Sequence, residues 1–157
     1  MVDTIIGIDP GIAGGIVALA SDGKVKNYSR MPDTPMDILE YLNKLSNGMV
    51  VCYMEDVGRG MPGQSSSATA KFARHNGNLE AFLMALMIPT VMVTPQKWQK
   101  IYQLGKSSEY SKTEWKKKLK SKAQQLFPMQ AKNISLSTSD AFLIAEYGRR
   151  MECCQHT

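Results

Sequence analysis

What the sequence lacks already excludes several classes of protein. No apolar run approaches the roughly 20 residues needed to cross a bilayer, and no basic stretch leads into an apolar signal core at the N-terminus. No membrane partner is expected, and a cytoplasmic location is. Cysteine is scarce: Cys52, Cys153 and Cys154 make three, an odd number with two adjacent, so no disulfide framework is expected. Paired CxxC elements are missing too, which takes the usual zinc-site spacing away from Cys153, Cys154 and His156. Cys52 lies inside an apolar run and reads as a small buried residue. There is no internal repeat and no low-complexity block.

What is present is the balance of an ordinary globular protein, 43% apolar and 21% charged over 157 residues. That length suits one domain, 1–157, with a real core. The net charge of +5 is unevenly spread: between Lys97 and Lys122 nine lysines face two acids, Glu109 and Glu114. Such a run is either a solvated helix face or the footprint of a polyanionic partner.

The chain is organised around Thr4 to Gly11, an apolar run that stops on Asp9 before the turn pair Pro10-Gly11. Gly14-Gly15 leads into Ile16–Ala20, Ser21 to Lys24 supplies turn chemistry, and Val25–Met31 returns antiparallel, which makes a three-strand meander. Thr34-Pro35-Met36-Asp37 has a capping threonine, a first-turn proline and an acid. Leu39, Leu42 and Leu45 then recur at helical spacing until Asn47-Gly48. Met49–Glu55 is a second apolar strand ending on an acid. The segment from Gly58 to Ser67, GRGMPGQSSS, reads as a loop beside a site. Ala68–Met87 is a long helical pattern with Phe72, Leu79, Phe82, Leu83 and Leu86 on its apolar side. Gly77 inside it costs about 1 kcal/mol against alanine, which predicts close approach by a neighbouring element or a ligand. Pro89 ends that helix, Thr90–Val93 is a fifth strand, and Thr94-Pro95 opens a short helix.

Gly105 to Tyr110 reads as a linker. Ser111-Lys112-Thr113-Glu114 is a capping box, followed by a sparse stripe of Trp115, Leu119 and Leu126 that ends at Pro128. Ser137-Thr138-Ser139-Asp140 begins a last helix running to about Arg150. This order predicts an α/β fold: a mixed five-stranded sheet, a three-strand meander plus two parallel strands added by helical crossovers, flanked by helices.

Three acids stand at comparable places. Asp9 and Glu55 end apolar strands and Asp140 opens an apolar helix. Each has a plain structural explanation: Asp9 suits the Asp-Pro-Gly turn, Glu55-Asp56 is a polar strand end, and Asp140 sits where a capping-box acid would follow Ser137. If the first strand pairs in parallel with the fourth, however, Asp9 and Glu55 end roughly 5 Å apart. Carboxylates so close repel unless a cation is shared, and Mg²⁺ prefers carboxylate oxygens plus water.

Four segments in order resemble the RuvC-type Holliday-junction resolvases of the RNase H-like superfamily. They are IIGIDPG at Ile5 to Gly11, Tyr53-Met54-Glu55, Lys71-Phe72-Ala73-Arg74-His75-Asn76-Gly77, and Ser139-Asp140-Ala141-Phe142-Leu143-Ile144-Ala145. Thr94-Pro95 with Trp98, and Leu126-Phe127-Pro128, are similar to the phage and chloroplast versions. The resemblance implies an RNase H-like homodimer that binds a four-way DNA junction and nicks it with Mg²⁺ or Mn²⁺, in a cell's cytoplasm or, if phage-encoded, in the host's. It implies metal ligation by Asp9, Glu55 and Asp140, and a catalytic Lys112 at the scissile phosphate. A solvated first-turn lysine is the plain alternative, although a helix N-terminus suits a cation poorly unless an anion is near. Expected DNA contacts are Arg59, Lys71, Phe72, Arg74, Lys97, Lys100, Lys116 and Lys117, mostly to phosphates. Phe72 is either a wedge at the crossover or a core residue.

One position departs from the family pattern: Ser137 stands where a fourth acid or a histidine usually lies, with Asp56 the nearest replacement in sequence. A catalytically weakened junction-binding module therefore remains open; so does an ASKHA-type phosphotransferase, which also begins with an aspartate after a strand and a glycine-rich turn but is disfavoured by the short chain.

Overall fold

The computed structural model describes residues 1–58, 63 and 65–154. Arg59 and His156 lie outside them. β1 (Thr4–Asp9), β2 (Gly15–Ala20) and β3 (Val25–Arg30) form the meander, and α1 (Pro35–Leu45) leads to β4 (Val50–Glu55). α2 (Ser66–Ala85) leads to β5 (Thr90–Val93), and α3 (Pro95–Lys100), α4 (Lys112–Leu126) and α5 (Ser139–Cys154) follow. The sheet order is β3-β2-β1-β4-β5; β1 pairs antiparallel with β2 and parallel with β4, and β5 joins β4 in parallel. This is the mixed five-stranded sheet that the sequence predicts.

Alternation along the strands divides the core in two, because successive side chains point to opposite faces. Ile6, Ile8, Cys52 and Met54 meet Ile38, Leu42, Leu79 and Leu83 of α1 and α2. Ile5, Val51, Tyr53 and Val93 meet Trp98 of α3, Trp115 and Leu119 of α4, and Ala141 to Ala145 of α5. Fully burying one such aliphatic side chain contributes about 1.5–3 kcal/mol. α5 lies closest to the sheet, over Gly7: a Cβ there would overlap the Ala145 amide and sit 2.5 Å from the Ala141 carbonyl oxygen.

Local chemistry sets the helix ends. Thr34 accepts from the Asp37 amide, and Ser111 and Glu114 form both halves of the expected capping box. α2 starts at Ser66, earlier than the pattern indicates, because Ser65 caps it through the Ala68 amide at 3.2 Å. It ends at Ala85, with Met87 in a left-handed conformation at φ 56°. The expected linker contains a 3₁₀ turn at Ser107–Glu109, and α5 continues past Arg150 to Cys154. Gly77 is exposed, with no atom of the described residues within 4 Å of a Cβ placed there, so close approach by a neighbouring element does not explain it.

Candidate active site

β1 and β4 run side by side from the Thr4–Val50 pair to the Ile8–Met54 pair, and Asp9 and Glu55 come next in each strand. By alternation Asp9 shares the face of Ile5, and Glu55 that of Val51 and Tyr53, which is the side covered by α3, α4 and α5. Asp140 enters that face from the first turn of α5. All three are buried, at 9%, 8% and 4% of full exposure.

Ionising three carboxylates in so little water is costly. Burial, then the charges of Asp140 and Glu55, raise Asp9 to about 8 against the opposing pull of Lys116. Burial also raises Glu55, held back by a bond from Trp98; Asp140 pushes it further up and Lys116 pulls it down. The cation among them is the Lys116 ammonium, which pairs with Asp140 Oδ2 and has a side chain 47% exposed. Burial disfavours its charge, but Asp140 first, then Asp9 and Glu55, more than offset this and hold the lysine above its ordinary range. The second oxygen of Asp140, Oδ1, is buried without a hydrogen-bond partner among the described residues.

These facts decide between the readings of Asp140. The Ser137 amide donates to the Ser135 hydroxyl at 3.2 Å and Asp140 pairs with Lys116, so Asp140 does not act as a capping-box acid. Ser137 itself lies in the turn before α5, not on the helix. Asp56 is exposed and accepts from the Gly58 amide at 3.1 Å, so it closes a turn and does not enter the buried face.

The donor set can be tested against a divalent metal. Three carboxylates are hard oxygen donors of the kind Mg²⁺ and Mn²⁺ take, and Oδ1 of Asp140 has no hydrogen-bond partner among the described residues. Among the described residues, no three His, Cys, Asp or Glu side chains are gathered tightly enough to hold an ion as they stand. The residues fit the metal in chemistry, while Lys116 supplies the positive charge in this arrangement.

The remaining expected residues distribute around this centre. Lys112 opens α4 exposed, and among the described residues it makes no salt bridge; Lys116, one turn later on the same helix face, is the lysine that reaches the acids. Phe72 is half-buried and outside the core, its ring 3.4 Å from a Cβ placed on Gly11. Together with Ile12, Lys71 and Arg74 it lines a groove of about 450 Å³ beyond the tip of β1. Lys97 and Lys100 are exposed on α3, and Lys117 lines a shallow basic groove with Lys118 and Lys122. Sequence reasoning gave no role to Trp98, whose indole nitrogen donates to Glu55 Oε2 at 2.6 Å. A buried tryptophan in a short helix carries no local signal of such a bond.

No protein-family model matches the chain, and no curated protein matches it. Solved structures do. RuvC of Thermus thermophilus in complex with a Holliday junction substrate superposes with a TM-score of 0.63 at 12% identity, covering 94% of this chain and 95% of that one. A second Thermus thermophilus RuvC structure superposes with a TM-score of 0.55 at 15% identity, covering 95% and 96%. The fold is therefore that of RuvC, an RNase H-like fold in which mixed sheet and helices carry over almost end to end. Among the described residues, no helix is long and apolar enough to cross a membrane.

Proposed function

We propose that the chain is a single RNase H-like domain, working as a homodimer, that cuts four-way DNA junctions by divalent-metal-dependent phosphodiester hydrolysis. What supports this is the burial of Asp9, Glu55 and Asp140 on one face of a RuvC fold, with Lys116 paired to Asp140 and the other Asp140 oxygen without a hydrogen-bond partner among the described residues. Asp9, Glu55 and Asp140 are the residues that would hold Mg²⁺, with Mn²⁺ as a substitute. Such an ion supplies a Lewis acid that lowers the pKa of water and neutralises phosphodiester charge. Lys116 has a long, flexible stem and a half-exposed side chain, which lets its ammonium leave Asp140 for a phosphate oxygen when the acids are otherwise neutralised. Hydrolysis joins the water oxygen to phosphorus, breaks one P–O bond and returns a proton to the leaving oxygen, giving ends that a ligase can seal.

Recognition is assigned to shape. Lys71, Arg74, Lys97, Lys100, Lys112 and Lys117 are phosphate contacts, which give affinity without sequence choice, and Arg59 is proposed with them from its sequence position. Phe72 is assigned to meet a base at the crossover, a reading supported by its position outside the core and beside Gly11. The test is a labelled four-way junction and a linear duplex incubated with the wild type and Asp9→Asn, in Mg²⁺, Mn²⁺ or EDTA. Paired nicks in the junction alone, dependent on metal and lost in Asp9→Asn, are expected. Junction binding without nicking in any metal would assign the chain to the binding-module class, and equal treatment of junction and duplex would remove junction resolution.

A further inference from the structure

Trp98 is fully buried, and of the hydrogen-bond partners open to an indole it takes an acid from a strand 43 residues earlier in sequence. An indole nitrogen only donates, and a donor on a carboxylate makes a charge-assisted bond that fixes the acceptor's rotamer. Two further contacts tie α3 and the residues after it to the neighbouring elements. The Trp98 ring meets Tyr102 edge-on, with centroids 6.4 Å apart, and the Tyr102 hydroxyl donates to the Leu143 carbonyl, one turn beyond Asp140 on α5. Gln99 accepts from the Trp115 indole at 3.2 Å, directly beside Lys116 on α4. Trp98, Gln99 and Tyr102 thus reach the three elements that deliver Glu55, Lys116 and Asp140.

We propose that Trp98 is a positioning residue for the metal centre: it occupies Glu55 Oε2 and so presents Oε1 as the oxygen that meets a divalent cation. The inference rests on the assignment of Glu55 as a ligand in the proposed function. Partners that orient a ligating carboxylate typically change metal affinity by about 10–100-fold when removed. A phenylalanine at 98 keeps an aromatic ring beside Tyr102 but loses the N–H together with part of the indole's packing, and the same truncation at Trp115, away from Glu55, separates the effect on metal binding from the loss of packing.

The test follows thermal unfolding during Mn²⁺ titration of the wild type, Trp98→Phe and Trp115→Phe. Trp98→Phe should need at least about 10-fold more Mn²⁺ for half of the stabilisation, whereas Trp115→Phe, which removes an equal donor from Gln99, should keep the wild-type midpoint. If the wild type responds to Mn²⁺ and Trp98→Phe shares its midpoint, this inference fails and the proposed function stands. If the wild type shows no response, both fail. Should Trp98→Phe not fold, the wild type answers alone through its two ¹⁵N-labelled indoles. The Trp98 signal should move during Mg²⁺ titration while the Trp115 signal stays, and an unmoved Trp98 signal overturns the proposal.

Discussion

Lys116 and Asp9 divide the electrostatic problem of the site between them. One ammonium cannot neutralise three buried carboxylates, and Asp9 answers by keeping its proton up to about 8. A carboxyl raised this way favours folding in its protonated form. The Asp9 contribution to metal-free stability should therefore be fully present below the unfolded value of 3.8 and be lost as pH climbs through about 8. Urea midpoints measured in EDTA across that range should decline for the wild type and decline less steeply for Asp9→Asn. Equal slopes would show that Asp9 is not the titrating group. At this scale the acids were legible in sequence, because an apolar strand that stops on a carboxylate advertises it. The Lys116–Asp140 pair was not, because which lysine of α4 meets the acids depends on how Trp115 and Leu119 seat that helix against the sheet. Trp98 was illegible for the same reason, its partner being fixed by tertiary packing.

At the scale of elements, α5 must lie almost in contact with β1 for Asp140 to approach Asp9, and Gly7 is what allows it. Gly7→Ala should cost about 3 kcal/mol or more, because backbone atoms of Ala141 and Ala145 would have to move. Gly77→Ala, exposed in mid-helix with open space around it, should instead add about 0.5–1 kcal/mol. Denaturant unfolding of both variants checks the contrast, and a stable Gly7→Ala protein would contradict the described packing of α5. Sequence reading chose Gly77 because a helix-interior glycine is conspicuous, whereas a glycine in a strand such as Gly7 looks like one more small residue. The capping signals at Thr34 and Ser111 placed two helix starts to the residue, since a cap bond is local. Ser65 was missed because three serines in a row offer three equivalent caps.

Over the whole molecule, the carboxyl ends of β1 and β4 and the start of α5 meet on one face of the sheet, the Phe72 groove lies beyond the tip of β1, and lysines stand exposed on α3 and α4. The alternation of strands and helices made this topology legible, because parallel β1–β4–β5 pairing leaves no other edge for the acids. A surface of this kind binds mainly through released counterions. Junction affinity should fall steeply with salt, and Lys117→Ala should make the log–log slope shallower by about 0.9 while leaving cleavage positions unchanged. An unchanged slope would move the DNA path away from α4. The central claim, that Asp9, Glu55 and Asp140 hold a divalent cation in place of the Lys116 charge, is tested most directly by anomalous scattering from crystals soaked in Mn²⁺. The expected result is a manganese peak bounded by these three carboxylates, with Lys116 no longer paired to Asp140. Crystals that take up no manganese there, with the Lys116–Asp140 pair intact, would contradict it.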